Sequence, residues 1–489
     1  MGYDGTHFEY NYEPMKRLFA ILLLALPLLF TQCRQEPAFV KPEEAESGQP
    51  TDISEDNDDA DDVNWAAAMS YVFDAGVIPE IHITVSETQW NKLLAAYDKN
   101  SDTQDFVECD VRYVKGAETV EISRTGLRLK GNTSRRRPMD NGGGWHHCHY
   151  GLDFHKYEKD AAHTLKGVRR VDLKWFKDDP TYVREIYCYD LFRRFGVWTA
   201  VNDIYSRLWI KAGSKGEAYL GVYGMLEHID KNYLRARKKE FGDEDGNLWK
   251  CRYPADLRST YANFGADDNR NTYTYELKTN KENGFSTAKT QLQDFIGKLN
   301  SLSGSAFNEW IASVMDIDLL LRTYAVNVAV GMWDDYWNNS NNYYLYFNST
   351  DAAKYKVFFI PYDYDNTLGT SSNCGVQSDA GRQDPMNWGH DGYPLMTKIL
   401  ANPAWANKYK GYLRELCAEG GLFHYSSSDA RIKAWQNSIN GAVSNDTGED
   451  MSIEDRPAGW GNHGEYRIMS TGSSNNFFKV KAAAIAAVK

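Results

Sequence analysis

The chain has 489 residues, of which 42% are hydrophobic and 14% aromatic, and this is enough to build a sizeable core. Its formal net charge is −12, but ten acidic side chains and one lysine fall within residues 41–62, so the remainder is only mildly acidic. This charge distribution excludes the basic surface that binds nucleic acid, and we expect no nucleic-acid partner.

The beginning of the chain predicts an exported protein. Residues 1–14 have no targeting character, and we interpret them as a non-native upstream extension. Met15, Lys16 and Arg17 then precede the apolar residues 18–30, which is the order of the basic and apolar regions of a signal peptide. The apolar segment is too short to span a bilayer as a stable anchor.

Cys33 ends the predicted lipoprotein signal peptide of residues 15–33. A cysteine at this position is similar to a bacterial lipobox, so we expect Cys33 to be acylated and the protein to be lipid-anchored to the cell envelope, facing the periplasm or the surface. Gln32 fits a lipobox poorly, which leaves ordinary signal cleavage as the alternative. The acidic residues 34–64 predict a disordered tether between the membrane and the folded domain.

The next part of the chain alternates between apolar and polar residues, as antiparallel strands do. Strands are predicted at residues 81–85, 106–113, 118–123, 126–129, 145–156, 204–210 and 218–227, with helices at 87–97 and 182–195. A glycine-rich turn at residues 131–144 carries Arg135. Backbone amides of such a turn, together with arginine and lysine, can cradle a polyphosphate, and a solvated hairpin tip is the alternative.

The second half of the chain has the periodicity of helices, with a hairpin between them. Helices are predicted at residues 287–299, 307–314, 316–330, 394–400, 405–416, 430–443 and 482–488. Residues 316–330 are apolar on nearly all sides, which predicts a central helix, and a polar cluster beginning at Asp334 follows it. Strands at 342–347 and 357–361 predict a buried hairpin that ends in an acidic loop with Asp363 and Asp365.

Two acidic loops lie at the same end of this hairpin, so we expect Asp334, Asn339, Asp363 and Asp365 to converge. Carboxylate and amide oxygens are the ligands that Mg²⁺ prefers, and a remaining carboxylate can act as a base. Asp334 and Asn339 have the D-x-x-x-x-N spacing of a protein-kinase catalytic loop, in which the aspartate accepts the substrate proton and the asparagine binds metal. No His-Arg pair precedes Asp334, and helix capping is the alternative interpretation.

Four sequence blocks resemble the CotH kinase family of atypical, spore-coat-protein-H-like kinases. They are residues 128–135, 221–227, 334–346 and 360–365, they follow the family order, and the resemblance covers roughly residues 75–420. It implies an α+β fold of the atypical protein-kinase type, with two lobes: an antiparallel β-rich N-lobe and a mainly helical C-lobe. It also implies a kinase-like domain at residues 65–420, followed by a C-terminal helical extension at 421–489.

The resemblance further implies a function: transfer of the ATP γ-phosphoryl group, with Mg²⁺ or Mn²⁺, to Ser or Thr of an envelope or surface protein. The general base would be Asp334. The metal ligands would be Asn339, Asp363 and Asp365, with no choice made between the last two. The nucleotide-binding residues would be Arg128, Lys130, Arg135, Lys156 and Glu227.

One departure from the family concerns the lysine that contacts the phosphates. Family members carry it on the strand after the glycine-rich turn, where this chain has His146, His147 and His149. Lys130 and Lys156 are the candidates to replace it. The departure keeps a second interpretation open, in which the chain is a non-catalytic surface lipoprotein that uses a kinase fold for binding or envelope assembly.

Overall fold

The computed structural model describes residues 64–160, 163–267, 272–370, 379–456 and 465–489, all within one compact unit. The predictions for Cys33, the signal peptide and nearly all of the acidic tether fall outside these ranges. None of the described helices combines the length and the apolar character that crossing a membrane requires.

Seven strands of the first half form a closed barrel. The elements of this half are α1 (Trp65–Val72), β1 (Glu80–Val85), α2 (Glu87–Lys99), β2 (Val107–Lys115), β3 (Glu118–Lys130), β4 (His149–Asp153), β5 (Arg170–Lys174), α3 (Arg184–Arg194), β6 (Asp203–Ala212) and β7 (Glu217–Glu227). The strand order is β1-β2-β3-β4-β5-β7-β6, and a parallel pairing of β6 with β1 closes the barrel. All the other neighbours in the barrel are antiparallel.

Alternation of side chains along the strands explains the barrel. In β2 every second residue is buried, and inward residues such as Ile83, Leu127 and Leu173 are fully buried in one core. The strands predicted at residues 118–123 and 126–129 are a single strand, β3, which contains Arg124 at a φ of 52°. The strand predicted over residues 145–156 is shorter than expected, and β5 has no counterpart among the predictions.

A five-stranded sheet and the remaining helices form the second half. The elements are α4 (Lys231–Ala236), α5 (Lys238–Phe241), β8 (Asn247–Cys251), β9 (Phe264–Gly265), β10 (Tyr275–Leu277), α6 (Lys281–Ser301), α7 (Gly304–Val314), α8 (Ile317–Ala329), α9 (Tyr336–Asn339), β11 (Tyr343–Phe347), β12 (Val357–Pro361), α10 (Pro394–Leu400), α11 (Pro403–Cys417), α12 (Tyr425–Ile439) and α13 (Phe477–Ala486). The sheet order is β12-β11-β8-β10-β9, so the predicted hairpin is an edge pair of a larger sheet.

The central helix α8 confirms the prediction for residues 316–330. Asp316 caps it, because its side chain accepts a hydrogen bond from the Leu319 amide at 3.1 Å. From Leu319 to Ala329 nearly every residue is buried, which fits a helix surrounded by other elements. This rigid helix fixes the place where the first acidic loop begins.

The mixed α+β class is confirmed, but the expected two-lobed arrangement is not what the structure shows. The N-terminal sheet closes into a barrel, and the second half contains a five-stranded sheet in addition to its helices. The closure depends on pairing Glu80 with Arg207, residues far apart in sequence. No local sequence pattern in β1 or β6 predicts that these two strands pair.

Candidate functional site

Lys174 occupies the centre of a cluster of acidic side chains. It is the last residue of β5, and its ammonium lies 2.7 Å from a Glu185 carboxylate oxygen, 2.5 Å from Asp363 and 3.5 Å from Asp365. Burial alone would lower the pKa of Lys174, but the three carboxylates outweigh it and hold the pKa well above its usual value. Lys174 therefore stays protonated and joins the barrel to the loop after β12.

Glu185 lies in the first turn of α3 and is buried. Burial, together with the charges of Asp365 and Asp363, outweighs the opposing effect of Lys174 and raises the pKa of Glu185 to about 8. Three carboxylates thus compete for one ammonium. The cluster has an excess of negative charge when its acids are ionised.

Asp363 and Asp365 differ in their electrostatics. Burial raises the pKa of Asp363, but Lys174 outweighs this effect and the result is a lowered pKa. Burial, together with the charge of Asp363, raises the pKa of Asp365 to about 6. Asp363 is thus the anionic partner of Lys174, and Asp365 forms the weaker ion pair with the ammonium.

Asp334 begins the other acidic loop, and three asparagine amides hold its carboxylate. Asn339 donates to Oδ1 at 2.7 Å, Asn341 donates to Oδ1 at 3.1 Å and Asn342 donates to Oδ2 at 2.9 Å. Burial raises the pKa of Asp334 to about 7, and the charges of Asp363 and Asp365 contribute to the rise. The carboxylate is therefore oriented by its neighbours and titrates near neutral pH, as a general base does.

Two glycines bring the acidic loops together. The Leu368 amide donates to the Val330 carbonyl at 2.7 Å, which ties the end of the second loop to the end of α8. Gly331 has a φ of +70° and Gly369 a φ of +97°, and a Cβ at Gly369 would lie 2.5 Å from Tyr466 Cβ. Any other residue at Gly369 would be both strained and crowded, so the loop geometry depends on it.

A buried chain of hydrogen bonds connects α3 with the acidic loop that begins at Asp334. The Tyr364 amide donates to Glu185 at 3.2 Å, and the Tyr364 hydroxyl donates to Asn327 at 2.7 Å. Asn327 donates in turn to Asp335 at 2.6 Å, and Asp335 caps α9 through the Asn338 amide. Asp335 is accordingly a structural carboxylate, which separates its role from that of Asp334.

Comparison with protein families matches residues 127–472 to the family described as CotH kinase protein. The chain belongs to the CotH kinase protein family. It is also similar to the inner spore coat protein H of Bacillus subtilis (strain 168), with 27% identity over 292 residues, which cover 60% of this chain and 73% of that protein.

The lysine that faces the acidic loop of this CotH family member is Lys174, which the sequence did not single out. Lys156 lies over the Phe106 ring, with its ammonium 5.0 Å from the centroid. Lys130 forms an ion pair with Asp172, and burial lowers the pKa of Lys130 to about 8. Lys174, at the end of β5, is the lysine that contacts Asp363, whereas the two predicted candidates, Lys130 and Lys156, have these other partners.

Three other predicted nucleotide-binding residues have structural partners. Arg128 donates to Gln104, and Arg135 donates to backbone carbonyls that include Leu129 O at 2.9 Å. Glu227 is 2% exposed and pairs with Arg237 at 2.6 Å, which ties the end of β7 to the helices that follow. Asn339 is hydrogen-bonded to Asp334, and the charges of Asp363 and Asp365 act on Asp334, so these four residues lie in one region, whereas Glu227 is paired with Arg237.

Lys174 and Glu185 were missed for identifiable reasons. The alternation of Val171 and Leu173 with charged residues at 170–174 is typical of a strand, and it is the local signal that could have indicated β5. A lone glutamate in a helix pattern ordinarily indicates an ion pair or a capping contact, and Glu185 does form an ion pair, with a lysine of the barrel. Asn341 and Asn342 stand in an asparagine-rich run whose role depends on the folded loop.

The donor set of the cluster fits a hard divalent cation. Asp363 and Asp365 are 35% and 38% exposed and present oxygen ligands beside an excess of negative charge. In the described part of the chain, no group of three or more acidic, imidazole or thiolate side chains is arranged to hold a metal ion. Mg²⁺ normally keeps waters and substrate phosphates among its ligands, so the carboxylates of Asp363 and Asp365 fit the small number of ligands that a protein contributes.

Asp334→Asn is expected to become more stable relative to the wild type as pH rises from 5 to 8. The folded pKa of about 7 exceeds the value of about 3.9 in an unfolded chain, so the wild type loses stability as pH rises through 7 and the asparagine variant does not. Between pH 5 and pH 8, the free energy of unfolding of Asp334→Asn should rise by about 1–3 kcal/mol relative to that of the wild type. Urea denaturation at both pH values measures it, and a difference independent of pH would show that Asp334 titrates normally.

Proposed function

We propose that this CotH family protein is an extracytoplasmic atypical kinase that transfers the γ-phosphoryl group of ATP to a Ser or Thr hydroxyl of an envelope or surface protein. The observation that carries the proposal is the contact of Lys174 with both Glu185 and Asp363. A lysine paired with a helix glutamate beside a metal-binding aspartate is the arrangement that protein kinases use to hold nucleotide phosphates. Family membership supports the same reaction class.

Each residue of the cluster has a role in this reaction. Lys174 binds a phosphate oxygen, and Glu185 holds Lys174 in position. Asp334 accepts the proton of the acceptor hydroxyl while the hydroxyl oxygen forms a bond to the γ-phosphorus. The bond between the γ-phosphorus and the β–γ bridging oxygen breaks, which releases ADP. Asn339, Asp363 and Asp365 would hold Mg²⁺ or Mn²⁺, which supplies charge neutralisation on the phosphates.

The proposed location and partner follow from the beginning of the chain. A lipid on Cys33 and an acidic tether would place the domain at the cell envelope, where an envelope or surface protein is the acceptor. The relative from Bacillus subtilis is named as an inner spore coat protein, so that family member belongs to a coat layer.

A thermal-shift titration of the purified protein with ATP and Mg²⁺ or Mn²⁺ tests the proposal. Nucleotide and metal together are expected to stabilise the wild type, because a ligand at 100 times its Kd adds about 2.7 kcal/mol to stability. Asp363→Asn/Asp365→Asn should lose the metal-dependent part. If no combination of nucleotide and metal changes the melting temperature, the kinase proposal fails and the non-catalytic surface protein takes its place.

A further inference from the structure

Lys250 lies on a face of the second sheet that carries several cations. Lys250 is in β8, and Arg252 follows two residues later on the same face. Glu276 of β10 lies opposite Lys250 in the register of the two strands. Lys278 follows Glu276 by two residues. We call Lys250, Arg252 and Lys278 the cationic face.

Glu276 is the carboxylate at the centre of this face. It is almost fully buried, contacts Arg252, and lies 2.8 Å from the Lys278 ammonium. Among the described residues, no carboxylate lies within ion-pairing distance of Lys250. The ammonium of Lys250 instead lies 4.6 Å from the ring centroid of Tyr362 and 5.7 Å from that of Tyr344.

Electrostatics place Lys250 beside the acidic cluster. Burial lowers the pKa of Lys250 far below its usual value, and Arg252 and Lys130 lower it further. The charge of Lys250 in turn lowers the pKa of Asp363. Glu276 opposes these effects, but burial and the neighbouring cations outweigh it, so an anionic ligand would favour the charged form of this half-buried lysine.

The ring faces explain why Lys250 is held in this place without a carboxylate. Tyr362 is the residue directly before Asp363, and Tyr344 lies opposite Lys250 in the neighbouring strand. Attraction between an ammonium and two aromatic faces orients the side chain at a modest gain in energy, which leaves its N–H donors available to a ligand. A carboxylate partner would compete with that ligand.

We propose that Lys250 binds the phosphate chain of the nucleotide, as a second cation in addition to Lys174. This inference rests on the proposed function, because it assigns part of the same site. Glu276 keeps Arg252 and Lys278 in place around Lys250, and their charge adds to the field that attracts a polyphosphate. The site combines a lysine from the barrel with a lysine from the second sheet.

Lys250→Met is the variant that tests the role, with Lys239→Met as a matched control because Lys239 is exposed on α5. Thermal-shift titrations use ATP with Mg²⁺, inorganic tripolyphosphate and adenosine as separate probes. We expect Lys250→Met to need at least 10-fold more ATP or tripolyphosphate than the wild type for the same shift, with no change for adenosine. Without ligand, Lys250→Met should melt at an equal or higher temperature, which excludes misfolding as the cause.

Several results would overturn the role of Lys250. One is that Lys250→Met responds to tripolyphosphate at the same concentrations as the wild type. Another is that the wild type responds to neither ATP nor tripolyphosphate. A third uses polyglutamate as an added probe: a Lys250-dependent response to polyglutamate but not to tripolyphosphate would indicate that Lys250 binds an acidic acceptor segment instead. If ATP with metal stabilises both proteins equally, the Lys250 role fails and the kinase proposal stands. If tripolyphosphate binding depends on Lys250 but ATP is never used for transfer, the anion site stands and the kinase proposal fails.

Discussion

Lys174→Met is expected to lower the free energy of unfolding by about 3 kcal/mol at pH 8 and to abolish nucleotide binding. Removing the ammonium leaves Glu185, Asp363 and Asp365 close together without a compensating charge. Their mutual repulsion grows as they ionise, so the loss of stability should be larger at pH 8 than at pH 5. Chemical denaturation at both pH values measures the effect.

Lys211→Met provides the matched control for this experiment. Lys211 is an exposed residue of β6, and its removal should change the stability by no more than about 0.5 kcal/mol at either pH. If Lys174→Met were as stable as this control and still bound ATP, the ion pairs of Lys174 would be incidental surface contacts, and the site would have to be sought elsewhere.

Asp334→Asn is expected to reduce phosphoryl transfer by about 10²–10⁴-fold, the range that a positioned general base contributes. The substitution preserves shape and removes the proton acceptor. Nucleotide binding should persist, because Lys174 and Asp363 are untouched. Rates at saturating ATP measure the loss, and the ATP concentration at half-maximal rate measures binding.

Asp335→Asn separates the two neighbouring carboxylates. Asp335 caps α9 and accepts a hydrogen bond from Asn327, so its variant should lose about 1 kcal/mol of stability with a smaller effect on transfer. The roles would have to be exchanged if Asp335→Asn lost transfer and Asp334→Asn retained it.

The predictions from sequence succeeded where the signal was local. Helix α8 and the hairpin of β11 and β12 follow from the periodicity of consecutive residues, and their ends place Asp334 and Asp363 near each other. The spacing of Asp334 and Asn339 fits the single turn of α9, which allows the two side chains to form a hydrogen bond. Such features depend on a few neighbouring residues, which a sequence displays directly.

The features that escaped prediction depend on contacts between distant parts of the chain. The role of Lys174 depends on its contact with Asp363, 189 residues later in the chain. No sequence pattern around either residue indicates the other. Glu227 was a nucleotide-binding candidate through the family resemblance, but in the folded protein its carboxylate forms an ion pair with Arg237. Closure of the barrel by β1 and β6 is likewise a pairing of segments that are well separated.

Transfer of labelled phosphate from [γ-³²P]ATP to Ser/Thr peptides by the purified wild type, with and without Mg²⁺ or Mn²⁺, tests the central claim most directly. The account predicts metal-dependent label in the peptides as phosphoserine or phosphothreonine, and its loss in Asp334→Asn. If the wild type binds ATP with metal but transfers no label to any peptide or to itself, the cluster around Lys174 is a nucleotide-binding site without kinase activity, and the proposed function is wrong.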